Sequence, residues 1–147
     1  MSIALSSSLA ATQTALLASQ FNGGFIRIFS GVRPAAPEQA ETGVLLAIVS
    51  VDGVSGAGLH FVSNGAALLK AAEPWQYTGL ANGTASWFRI VAAGDTGLAA
   101  PSALRIDGSI GTPSNPGDIT LDSLIVQLGV PYTFDSFIYL IQPVGVA

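Results

Sequence analysis

The sequence predicts an all-β fold: a β-sandwich or jelly roll of about eight strands, with room for one short helix at the N-terminus. Three observations predict it. Short runs of strand-favouring residues recur from Phe25 to Ile141. Glycines, prolines and Asn-Gly or Asp-Gly pairs fall in the breaks, about every ten residues. Half of the residues are hydrophobic, yet the longest apolar run, Val44 to Val51, falls far short of the ~20 residues a membrane helix needs. At 147 residues the chain is one domain by size, spanning 1–147 with 1–22 as an N-terminal arm or helix. No linker or internal repeat divides it.

Taken in order, residues 7–20 carry the helical spacing. Leu9, Thr12, Leu16 and Gln20 recur at helical intervals among Ala10, Ala11, Ala15 and Ala18. One of Ser6, Ser7 and Ser8 supplies the cap, Asn22-Gly23-Gly24 the stop, and Leu5, Leu9, Leu16, Leu17 and Phe21 the expected buried stripe. Such a helix docks either on its own sheet or on a neighbouring subunit. Phe25–Ser30 then reads as a compact strand, and Pro34 and Pro37 make the next stretch a loop, because proline lacks the ladder donor. Gly43 to Val51 is a strand-length apolar run closed by Asp52-Gly53. Leu59–Ser63 is a strand ending at Asn64-Gly65, a hairpin dipeptide that favours a return strand over a short helix for Ala66–Ala72.

Gly83–Val91 and Arg105–Gly111 form the expected centre. Large residues fall on both faces of the first, as in a strand covered on both sides, and Arg89 and Arg105 are expected to pair internally with Asp107 or another aspartate, partner contact being the alternative. Gly111–Asp118 is a loop by composition, and Ile119–Leu128 and Tyr132–Ile141 complete the strands.

Charge narrows the function. Only 10% of residues are charged, against about a quarter in ordinary domains, so much of the surface is expected to be buried against copies of the chain or a larger partner. An alanine-rich monomer is the competing explanation. A net charge of −4 with five scattered basic residues argues against holding nucleic acid by its phosphates. With no cysteine and one histidine, disulfides, thiolate sites and multi-histidine metal sites are excluded. The N-terminus has no basic stretch of a signal peptide, so the chain is expected to be made in the cytoplasm.

No catalytic, cofactor or metal residues emerge. His60, with Asp52 or Asp107 to orient it, would be a general base, but no nucleophile accompanies it. Asp95, Asp107, Asp118, Asp122 and Asp135 would serve a glycosidase pair or calcium, yet most sit beside glycine or serine, where aspartate caps turns. Asn22-Gly23-Gly24 lacks the lysine and following helix of a phosphate loop. Trp75 and Tyr77, near Pro74, form either a stacking edge for a sugar or partner or a plug in one end of the core. With Arg33 they are the candidate interface residues.

The order of motifs carries a resemblance. Asn22-Gly23-Gly24 precedes a strand ending Phe29-Ser30-Gly31, then come the Pro34-Ala35-Ala36 loop and Thr42-Gly43 before Leu45-Leu46. Gly83-Thr84-Ala85-Ser86-Trp87-Phe88-Arg89, Arg105-Ile106-Asp107-Gly108-Ser109-Ile110-Gly111 and Asp135-Ser136-Phe137 follow. In this order they resemble small structural proteins of tailed bacteriophages, and among these the capsid cement, or decoration, proteins of podovirus heads. The resemblance implies a jelly roll, a homodimer on the virion exterior, and binding across neighbouring major capsid proteins; an enzyme is not expected, because nucleophile, base and metal signals are missing from the sequence. A neck or tail component, or a carbohydrate-binding jelly roll using Trp75 and Tyr77, is the alternative.

Overall fold

The computed structural model describes residues 5–140. One helix, α1 (Ser7–Phe21), precedes twelve strands. These are β1 (Phe25–Phe29), β2 (Leu45–Val49), β3 (Phe61–Asn64), β4 (Ala67–Lys70), β5 (Gln76–Thr78) and β6 (Gly83–Thr84). There follow β7 (Trp87–Val91), β8 (Arg105–Gly111), β9 (Ile119–Thr120), β10 (Ile125–Val126), β11 (Pro131–Thr133) and β12 (Ile138–Leu140). The fold is all-β and sandwich-like. A five-stranded sheet, β2-β1-β7-β8-β9, is antiparallel except at β8–β9, and a three-stranded antiparallel sheet has the order β12-β4-β3. The pairs β10-β6 and β11-β5 bridge the remaining edges.

More strands are present than expected because three of the expected segments bend. In Gly83–Val91, β6 pairs with β10, whereas β7 pairs with β1 and β8. Between them Ala85 donates to Leu124 O and Ser86 to Phe29 O, so the chain changes sheets at a corner without losing its backbone bonds. Ile119–Val126 splits likewise between β8 and β6, and Pro131–Leu140 between β5 and β4. Gln76–Thr78 adds one further strand.

Helix α1 begins where Ser6 Oγ accepts the Leu9 N–H at 3.1 Å and ends where Asn22 donates to Ala18 O. Its buried face is Ala10, Thr14, Ala18 and Phe21, and it rests on β3 and β4 of its own chain. The expected leucine stripe is therefore only partly right. Phe21 is buried and Leu17 packs half-buried on the core, but Leu9 and Leu16 are 46% and 57% exposed. Small residues face the strands, allowing close approach, and the leucines fall on the flanks. Gly23, at φ +82°, turns the chain, and its N–H donates to Leu59 O.

The hairpin at Asn64-Gly65 forms as expected, with Asn64 opposite Ala67 and Gly65 at φ +60°. Strand β7 is central, and all five of its residues are buried. One of its faces, with Ile26, Ile28, Phe88 and Ile90, joins a core completed by Phe61, Leu68, Trp75, Phe134 and Phe137. Trp75 lies 5.2–6.0 Å from the ring centres of Phe61, Phe134 and Phe137.

The opposite face of the five-stranded sheet holds buried charges beside the stacked rings of Phe29 and Trp87. Arg27, Arg89 and Asp107 stand in register across β1, β7 and β8. Arg89 grips Asp107 with two bonds, 2.7 and 3.0 Å, and donates to Gln39 O at 2.8 Å. Arg27 holds Glu41 in the same two-pronged way, and Arg105 holds Asp95 while donating to Pro37 O and Leu98 O. Two arginines directly opposite would repel, but each has its own carboxylate. The long loop between β1 and β2 is thus pinned over the sheet by arginines that satisfy its carbonyls.

Candidate interaction surface

The expected interface residues separate. Trp75 and Tyr77 are 1% and 4% exposed, so the stacking-edge expectation is corrected: Trp75 is the core plug. The cause is non-local. Ser50 and Gln76 exchange both backbone bonds, and Phe134 donates to Trp75 O, so the segment is a strand between two others rather than a loop tip. The Trp75 indole N–H donates to Glu73 Oε1 at 3.0 Å. Arg33 does lie exposed, in the β1–β2 loop.

His60 is oriented by Glu73, with Nδ1 2.9 Å from Oε2, and by neither Asp52 nor Asp107. Burial alone would raise the Glu73 pKa, but bonds from Trp75 and His60 outweigh it and leave the carboxyl below its usual range. No nucleophile adjoins the imidazole among the described contacts. The Gly23 and Gly24 N–H groups are both occupied by chain carbonyls, which closes the phosphate-loop reading.

Three of the five aspartates considered above are held by groups of the fold. Asp95 and Asp107 bind arginines, and Asp118 accepts from the Ser109 N–H and hydroxyl. The Arg105 hydrogen bonds hold Asp95 below the usual carboxylate range against the opposing effect of burial. Asp122 and Asp135 are brought together instead. They line one cleft of about 290 Å³ with Tyr77, Tyr132, Ser136 and Thr133. Tyr77 and Tyr132 stack there with ring centres 5.0 Å apart and planes 18° from parallel. Burial, and then the fields of Tyr132, Asp122 and Asp135, push the Tyr77 phenol up to about 12. Among the described residues no three metal-ligating side chains cluster.

The apolar surface is the feature that single-residue reasoning missed. Val62, Leu69 and Ile138 are directly opposite across β3, β4 and β12 and so share one sheet face. Val62 is 45% and Ile138 58% exposed. The hairpin turn made the Val62–Leu69 pairing legible; the arrival of β12 beside them had no local signal. Val32, Val54, Leu98 and Leu128 are more exposed still. No helix among the described residues is long and apolar enough to cross a membrane. No protein-family model, curated protein sequence or solved structure matches this chain.

Proposed function

We propose that this chain is a structural protein: a cement, or decoration, protein that binds the outside of a phage head as a homodimer and ties neighbouring major capsid proteins together. One observation carries the reading, an inversion of the usual surface. The Arg89 and Arg105 side chains are 0% and 1% exposed, while Val32 and Val54 are 84% and 71% exposed. Hiding charge and displaying valine favours a subunit whose outside is covered by copies or by a lattice. The order of motifs from Asn22 to Asp135-Ser136-Phe137 supplies the kind of assembly. A jelly-roll path is the finer form of the fold in this reading, supported by the three segments that pass from sheet to sheet.

The function is mechanical and needs no cofactor or chemistry. A protein that binds the mature shell and not its precursor stabilises the mature shell by mass action. Many modest contacts, each spanning a seam, add as linked binding events. The row Val62–Leu69–Ile138 is the surface offered for such contacts. The carbohydrate alternative needs an open aromatic face, which Trp75 at 1% exposure lacks.

The test is the ratio of this chain to the major capsid protein in purified virions, by quantitative mass spectrometry. A ratio near unity is expected, along with heads that leak DNA on heating when the protein is removed. A few copies per particle would assign it to the neck or tail instead, and its absence from particles would end the structural reading.

A further inference from the structure

The fold uses most of the chain's charge internally. Of its nine acidic side chains, Glu41, Asp95 and Asp107 bind arginines, and Glu73 holds His60 and Trp75. Asp52 and Asp118 accept backbone N–H groups. That leaves Glu38, Asp122 and Asp135 without a side-chain partner among the described residues, and two of these three line the same cleft. The basic side chains offer it nothing. Arg27, Arg89 and Arg105 are paired, Lys70 donates to the carbonyls of Ala71 and Glu73, and Arg33 does not line the cleft.

A second observation points into the same space. Tyr77 is 96% buried by its 4% exposure, yet its hydroxyl, on the cleft wall, has no hydrogen-bond partner among the described residues. The Tyr132 hydroxyl, by contrast, already accepts the Gln127 N–H at 3.0 Å. The cleft therefore presents two uncompensated carboxylates, an unused phenol oxygen and the hydroxyls of Thr133 and Ser136 beside a stacked aromatic wall.

We propose that the Asp122–Asp135 cleft is a binding site for a guanidinium group, presented as an arginine side chain by a partner protein. Guanidinium has five N–H donors and no acceptor, and the cleft is lined by oxygens that accept. Its flat, weakly hydrated face suits the half-buried Tyr132 ring, and its fork suits carboxylates. An ammonium matches fewer of these groups. Calcium takes six to eight oxygens, typically from several carboxylates, and two carboxylates are a poor set for it. The site is independent of the capsid assignment, since the same chemistry serves whichever protein presents the arginine.

The experiment is a titration of the isotopically labelled full chain with N-acetyl-arginine amide, followed through the backbone amide signals. Saturable shifts confined to residues 120–123 and 132–136 are expected, weakening as salt is raised. The lysine analogue should bind more weakly, and the double variant Asp122→Asn, Asp135→Asn about tenfold more weakly or not at all. Unchanged signals elsewhere in the variant spectrum establish that it folds. Equal arginine binding by the variant, no shift in the wild type up to saturating probe, or a tighter response to calcium chloride than to arginine would each overturn the proposal. A virion lacking this chain would sink the capsid reading and leave this titration unaffected.

Discussion

The two charged regions of this molecule use the same groups to opposite ends. On the five-stranded sheet, Arg27, Arg89 and Arg105 each meet a carboxylate in a two-pronged grip, and their remaining donors take loop carbonyls. In the cleft, Asp122 and Asp135 face a space with no cationic side chain among the described residues. A closed network gains little by meeting anything else, and breaking it strands a buried charge. The open pair has no such partner among the described residues and stays exposed to solvent. Charges that complete one another hold the fold, and charges left incomplete are available for binding.

The comparison breaks most sharply at Arg89. Arg89→Ala should leave Asp107, 6% exposed, without its cation and cost about 3–5 kcal/mol, read as a lowered urea midpoint. Trp75→Ala is expected to cost a similar amount by opening a core cavity, about 3–5 kcal/mol by the same assay. Either variant matching the wild type would mean that region is not closed as described.

Acid and base should separate the two regions. The Asp95 carboxyl is held below its ordinary value of 3.8 in the folded chain, so its contribution is intact above that value and lost as pH falls beneath it. The Tyr77 phenol is raised from 10.0 to about 12, so its contribution is full below pH 10 and declines as pH climbs toward 12. Stability measured by denaturant across pH should therefore fall at both ends, and Tyr77→Phe should flatten the alkaline limb alone. An alkaline limb unchanged by that substitution would remove Tyr77 as its source.

The smallest effects belong to the surface. Asp122→Asn with Asp135→Asn should leave stability within about 0.5 kcal/mol or raise it slightly, as should Val62→Asp. The first should nonetheless lose arginine binding and the second self-association, measured by sedentimentation equilibrium. A large stability loss from either would make these groups part of the closed fold.

Local signals carried what was legible. Ser6, the alanines of α1 and Asn22-Gly23 act within one or two turns, and Asn64-Gly65 sets its own hairpin. The Arg89–Asp107 pair was legible because both residues lie on strands with the right alternation. The corners at Ala85-Ser86 and Phe134–Phe137 were not, because a strand continues or bends according to which distant edge is there to receive it. For the same reason Trp75 looked like a loop aromatic until β11 and Ser50 closed around it. Asp122 and Asp135 belong to different segments, and nothing in their neighbours announces a shared cleft.

The order in which the chain is synthesised bears on the three-stranded sheet. Leu140 sits opposite Ala67, so β3 and β4 must wait for most of the chain before their third strand arrives. A two-stranded hairpin is marginal by itself, and pairings this distant form slowly. The apolar row through Val62, Leu69 and Ile138 is accordingly absent from a nascent chain and comes into being only when β12 docks. In the assembly proposed above, a half-made subunit would lack this row and so could not join a lattice before it can hold its place in it.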